Sequence, residues 1–332
     1  MRVLVTGAGG FIGRRLVTRL AEQGTLADAQ GTPRAITELL LVDRDAAVLE
    51  KLVSETNASI KLTSRAGDLR DTDFVEGLFA GGVDSVFHLA ATLTLDAERD
   101  FDTGWAVNML LPFRMLEACR RQGARPRFVY ASSIAVFGGR LPERVDDWQA
   151  QRPQTSYGTA KSITELLIND YSRHGLVDGR SLRLPVVMIR PGQPGGGMHS
   201  GAVSDLIGAL AREPLAGRAI TSPLGWNTRF PVVSAGRVAE NLLRLHDVPA
   251  EAFSEGRAVN QPGLTVSVAD IAAALGRVAG TEAAERLTVA PDPALERVVA
   301  SWPREFVSEV ELAPPLLPDP DFDSILCDHV RA

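Results

Sequence analysis

The chain has 332 residues, 45% apolar and 23% charged, with a net charge of −6 and no block of like charge. That length admits one large α/β unit with a smaller lobe, or two domains. The acidic balance argues against nucleic acid or an anionic membrane surface as a partner, and no stretch approaches the roughly 18 apolar residues of a membrane span.

Arg2–Thr6 predicts a strand; it is too short an apolar run for a secretory signal. Gly7-Ala-Gly-Gly10-Phe-Ile-Gly13 follows and opens an amphipathic stretch to Gln23. Strand, glycine turn and helix together suit a dinucleotide. Gly7 permits a tight turn, Gly10 lets backbone approach a pyrophosphate, and Gly13 lets the helix pack close to the strand. The helix start, with Phe11 and Ile12, offers free N–H groups and a positive dipole end to the phosphates.

Residues 24–35 are polar and look like an insertion before the strand Glu38–Asp43. Asp43 ends that strand, where a carboxylate accepts both hydroxyls of an adenosine ribose. An acid there repels a 2′-phosphate and favours NAD over NADP, although Arg44 follows at once. Asp68, followed by Leu69, either bonds an adenine amino group or caps a helix. The strand from Ser85 ends in small residues, Leu89-Ala-Ala91, which leave room for a flat cofactor. His88 has no second ligand spaced near it and is expected to be a packed strand histidine.

Trp105–Gln122 predicts a helix with Asn108 inside it, a position that favours Asn only when the side chain bonds something. Cys119 and Cys327 lie far apart without metal-ligand spacing and are expected to be reduced thiols of a cytoplasmic protein. Arg127–Gly138 is strand running into loop, with Ser132 and Ser133 at the carboxyl end where such sheets bind ligands. A helix follows from about Tyr157 to Tyr171. Residues 181–190 predict a sixth strand, ended by Pro191-Gly192. Beyond it the alternation breaks down, apart from a short returning strand at Ala258–Asn260.

Tyr157 and Lys161 are four residues apart, so a helix puts both on one face. A free phenol titrates near pH ~10, and a cation one turn away draws that value down. Alone, such a pair is most often a half-exposed Tyr beside a solvated Lys.

The set Gly7-x-x-Gly10-x-x-Gly13, Asp43, Asp68-Leu69, His88-Leu-Ala-Ala91, Asn108, Ser133 and Tyr157-x-x-x-Lys161, in that order, resembles the extended short-chain dehydrogenase/reductase superfamily. The resemblance covers nearly the whole chain. It implies an α/β fold, a Rossmann-type doubly wound parallel sheet with a smaller mixed C-terminal substrate lobe. The expected NAD-binding domain is 1–192 with 236–262 returning to it, and the substrate lobe is 193–235 with 263–332. The family pattern places its catalytic serine five residues before the glycine of Val-Phe-Gly138, which selects Ser133 over Ser132.

By the same resemblance Ser133, Tyr157, Lys161 and Asn108 are catalytic, with Asn108 holding a water on the proton path. NAD contacts are expected from the Gly7–Gly13 turn (Gly7, Gly10, Phe11, Ile12, Gly13), Asp43, Asp68, Leu69, Leu89, Ala90, Ala91, Tyr157, Lys161 and Pro191. The family also implies a homodimer built on the Asn108 and Tyr157 helices, with Leu166, Leu167 and Ile168 as apolar surface.

Within the superfamily, Asp100-Phe-Asp-Thr-Gly104, Ser132–Gly138, Arg190-Pro-Gly192 and Arg212-Glu-Pro-Leu215 are similar to the D-erythronate dehydrogenase subgroup. Such enzymes oxidise the C2 hydroxyl of a short sugar acid, a small-molecule substrate. Ser133, Tyr157, His199, Ser200 and Arg229 are the expected substrate contacts, Arg229 because a guanidinium matches a carboxylate bidentately. Residues 193–199 and Asn227-Thr-Arg-Phe230 depart from the subgroup pattern. A nucleotide-sugar epimerase uses the same Ser–Tyr–Lys set and remains the alternative. A non-catalytic NAD-binding regulator is expected to lack Tyr or Lys, and both are present.

Overall fold

The computed structural model describes residues 1–190, 203–253 and 256–330. Six strands of the central sheet come first: β1 (Arg2–Thr6), β2 (Glu38–Asp43), β3 (Lys61–Ala66), β4 (Ser85–His88), β5 (Arg127–Ser133) and β6 (Asp178–Leu184). The chain then leaves for β7 (Val186–Met188) and β8 (Arg229–Ser234), returns with β9 (Ala258–Asn260) and leaves again with β10 (Leu264–Ser267). The central sheet has seven strands in the order β9-β6-β5-β4-β1-β2-β3, all parallel. The strand order reverses between β1 and β4, which opens a crevice at their carboxyl ends.

Strands covered on both faces are apolar on both, as the run Leu39–Val42 illustrates. Val3, Val5, Leu39, Leu41, Phe87 and Val129 share one buried cluster with Leu16 and Leu20 of α1 (Phe11–Gln23). Leu4, Leu40, Val86 and Phe128 point the other way, towards Met115 of α2 (Leu111–Gln122) and Ile168 of α3 (Ser156–Arg173). This is the two-residue alternation of a pleated strand.

The expected strand over 181–190 is two strands. Pro185 lacks the N–H that a ladder needs, and the chain changes sheets there: β6 stays with β5, and β7 pairs with β8. A second core forms around β7, β8 and β10 with α4 (Val203–Leu215) and α6 (Val268–Ala279), whereas α5 (Ala235–Asp247) between them packs in the first cluster. Val186, Met188, Ile207, Phe230 and Ile271 all belong to it. The insertion after α1 is a small antiparallel hairpin, Thr25–Ala27 against Pro33–Ala35, with Leu26 buried.

Arg127 and Arg180 cross-brace the fold. Arg180 donates to the carbonyls of Leu245, His246 and Val248 at the end of α5, and Arg127 donates to that of His246. Their charges, with that of Arg257, converge on Asp178 at 3.2, 2.5 and 2.9 Å. Removing one partner of a buried ion cluster leaves the others uncompensated. Asp178→Asn is therefore expected to lower stability by about 3–5 kcal/mol, read as a fall in the urea midpoint with an unchanged slope.

Candidate active site

The cradle begins where β1 ends. Gly7 turns with φ of +69°, a conformation that favours glycine. A Cβ on it would lie 2.8 Å from the Ala90 nitrogen, so the exit of β4 packs directly on the turn. A Cβ on Gly13 would lie 2.1 Å from the Gly7 carbonyl oxygen, so the first turn of α1 rests on the same peptide. Gly10 caps that helix without a side chain, which leaves first-turn N–H groups for an outside acceptor. Asp43, half-buried at the end of β2, accepts from the Gly9 N–H at 3.1 Å and the Arg44 N–H at 2.8 Å. Leu89, Ala90 and Ala91 are half-buried where β4 ends. A side-chain-free turn, an uncapped helix start and a neighbouring strand-end acid fit a dinucleotide.

Asp68 is exposed and accepts from Arg70 at both carboxylate oxygens, from Nε at Oδ1 at 3.1 Å and from Nη2 at Oδ2 at 2.6 Å. That pairing holds its carboxyl below the usual carboxylate value. The helix cap is Asp71, and Leu69 packs on the core. His88 is buried with Nδ1 2.7 Å from the Thr6 hydroxyl, its ring stacked on Tyr130. Burial pushes its pKa down to about 3, and the Lys161 charge adds to the effect, so the imidazole is neutral.

Thr155 caps α3 by accepting from the Gly158 N–H at 3.0 Å. The next two turns present Tyr157 and Lys161 to the end of β5. Lys161 is buried; its Nζ donates to the Ala131 carbonyl at 2.8 Å and lies 4.4 Å from the Tyr130 ring centre and 5.5 Å from that of Tyr157. Ser132 gives its hydroxyl to the buried Glu165, whereas the Ser133 hydroxyl accepts from the Ala135 N–H at 3.1 Å and is the serine whose influence lowers the Tyr157 phenol.

The electrostatics differ from the expectation that Lys161 depresses the Tyr157 phenol. Burial raises Tyr157 above the ordinary phenol value, against the Ser133 hydrogen bond and the charge of Arg190. Burial also brings Lys161 down to about 7, with Glu165 pulling it back up. In a dry site both groups are driven towards their neutral forms.

Asn108 lies in a wide helical turn, Ala106–Leu110, just before α2. Pro112 has no N–H for the Asn108 carbonyl four residues back, and the Thr164 hydroxyl of α3 donates to that carbonyl at 3.3 Å. The Asn108 side chain accepts from the Thr92 N–H at 2.9 Å and donates to the Thr92 carbonyl at 3.0 Å, pinning the segment after β4. Arg229 starts β8 with its side chain partly in solvent, 3.7 Å from Glu143, which also meets Arg304 at 3.3 Å. Pro191, His199, Ser200 and the 193–199 loop lie outside the described residues.

Sequence reasoning passed over Tyr130, Glu165 and Arg190 as site residues. Glu165 carried a signal, since it continues the spacing of Tyr157 and Lys161 by one more turn. Tyr130 shares a strand face with Ser132, a weaker sign. Arg190 acts at a distance that no spacing encodes.

Residues 3–254 match the NAD dependent epimerase/dehydratase family. The chain is 38% identical to a D-erythronate dehydrogenase of Cupriavidus necator, covering 98% of this chain and 97% of the relative. It is 33% identical to a D-erythronate dehydrogenase of Haemophilus influenzae over 100% and 99%. A solved nucleoside-diphosphate-sugar epimerase of Agrobacterium tumefaciens superposes with a TM-score of 0.87 at 31% identity, covering 100% of this chain and 94% of that one. A family match of this extent, together with relatives above 30% identity along their whole length, establishes that the chain belongs to the NAD dependent epimerase/dehydratase family.

Proposed function

We propose that this chain is an NAD-dependent dehydrogenase that oxidises the C2 hydroxyl of a short sugar acid, of the D-erythronate kind, to the 2-oxo acid. The observation that carries this reading is end-to-end similarity to two D-erythronate dehydrogenases. The Ser133–Tyr157–Lys161 arrangement at the carboxyl end of β5 supports it. The second reading, a nucleotide-sugar epimerase, draws on the Agrobacterium structure.

The Gly7–Gly13 turn with Phe11 and Ile12 would hold the NAD pyrophosphate, Asp43 the adenosine ribose, and Leu89, Ala90 and Ala91 the flat part of the cofactor. Asp68, Leu69 and Pro191 complete the proposed contacts. NAD supplies the hydride acceptor when bound. Tyr157 takes the proton of the substrate hydroxyl on its phenolate oxygen. Ser133 donates a hydrogen bond to the reacting oxygen and orients it. Lys161, in its ammonium form, stabilises the phenolate; Asn108 positions the segment after β4 and the Tyr157 helix. The lobe of residues 193–235 and 263–332 is proposed to supply the substrate contacts, His199 and Ser200 among them. Arg229 is the proposed carboxylate anchor, and Arg190, whose charge reaches Tyr157, is a second cation for the same task.

We place the protein in the cytoplasm as a homodimer. Both cysteines are free thiols, and no helix among the described residues is long and apolar enough to cross a membrane. Leu166 of α3 and Phe113 of α2 are exposed and supply apolar surface for a partner copy, whereas Ile168 is buried within the fold.

NADH formation from NAD with D-erythronate and related four-carbon acids, set against UDP-sugars, tests the substrate. Turnover of a sugar acid is the expected result. Turnover of a UDP-sugar with none of any sugar acid would replace this reading by the epimerase.

A further inference from the structure

Three turns of α3 meet three consecutive residues of β5. Tyr157 meets Ser133, Lys161 donates to the Ala131 carbonyl, and Glu165 accepts from the Ser132 hydroxyl. The helix is thus tied to the strand at each turn of the face that carries the reacting pair. Glu165 is buried and held from several sides. It accepts from Arg183 Nη2 at 2.9 Å, from Arg183 Nε, and from the Gln151 side chain. Arg183 reaches it from β6, and also donates to the Asp147 carbonyl at 3.0 Å and lies over the Phe137 ring.

Residues four apart on a helix are neighbours, and a buried anion beside a buried amine favours the ammonium form. The groups around Lys161 are Tyr157 and Glu165 on its own helix, Tyr130 and the Ala131 carbonyl on β5, and the neutral His88 on β4. Glu165 is the one carboxylate of this set, and its own ion-pair partner is Arg183 at 2.9 Å.

We propose that Glu165 is a positioning residue of this site: it holds Lys161 as the ammonium and fixes the Ser132 hydroxyl on its own side of β5, leaving Ser133 to face Tyr157. This rests on Tyr157 and Lys161 being the reacting pair. Glu165 touches neither substrate nor cofactor in this scheme and acts through Lys161.

The chain contains only three lysines, Lys51, Lys61 and Lys161, and the first two have exposed side chains. Full-length protein grown with lysine carbon-13 labelled at Cε therefore gives three signals, and Lys161→Arg identifies the one of interest. In Glu165→Gln its titration midpoint is expected to fall by about one pH unit, and Glu165→Asp to restore most of the shift. A midpoint that stays at the wild-type value in folded Glu165→Gln overturns the proposal. The single variant leaves Arg183 buried without its partner and can fail to fold. Glu165→Gln with Arg183→Gln removes both charges, and its midpoint is expected to lie about one pH unit below that of Arg183→Gln alone, in which Glu165 remains; equal midpoints overturn the proposal. A purely structural Glu165 would lower the melting temperature and leave the titration unchanged. The titration uses no substrate, so failure to oxidise any sugar acid would sink the substrate reading alone.

Discussion

Tyr157→Phe is expected to lower kcat/KM by about a thousandfold while NAD binds within about threefold of the wild-type affinity, a shift of under 1 kcal/mol. The ring of Phe fills the same space on α3, so packing against Lys161 is retained; only the hydroxyl that exchanges the proton is lost. The effect is expected in kcat and kcat/KM alike, because that proton moves only as the reaction proceeds. Steady-state NADH formation and a direct NAD titration, made on the same preparation, check the two halves. Activity within tenfold of wild type would remove Tyr157 as the base and leave the Tyr157–Lys161 pair without a chemical role.

Gly13→Ala should weaken NAD binding by about 100-fold or more, equivalent to roughly 2.7 kcal/mol, and lower the melting temperature as well. The new methyl would stand 2.1 Å from the Gly7 oxygen and 2.8 Å from that of Ala8, and both obstacles are backbone. Close-packed interiors have no slack to absorb such an overlap. The start of α1 must therefore move off the turn, and the N–H groups offered to the pyrophosphate move with it. Gly10→Ala is the milder comparison, since its Cβ meets only the Gly7 oxygen at 3.1 Å. Calorimetric NAD titration of the two variants should rank them in that order; an undiminished affinity in a folded Gly13→Ala protein would dissociate the turn from cofactor binding.

The glycine turn was legible in the chain because it is local. Its φ requirement, its helix and the strand before it all lie within two dozen residues. The serine choice was legible for a similar reason, a fixed count back from Gly138. Pro185 is equally visible, but apolar periodicity runs through it and does not say which sheet an apolar segment joins. Asn108 illustrates a subtler limit. Its helical setting was expected, but the partners of its amide, Thr92 on one side chain edge and the Thr164 hydroxyl at its carbonyl, come from segments 16 and 56 residues away.

The sequence by itself determined the fold class, the glycine turn after β1 and the pairing of Tyr157 with Lys161. These follow from strand and helix periods, from the missing side chains of glycine and from a four-residue spacing. Only the tertiary structure decided which way the titrations of that pair move. Desolvation is set by everything that covers a group, and here it outweighs the neighbour that spacing supplies, bringing Lys161 to about 7 and raising Tyr157 above its ordinary value. The groups that oppose it, Glu165, Ser133 and Arg190, reach the pair through the packing of α3 on β5 and the chain's departure at β7.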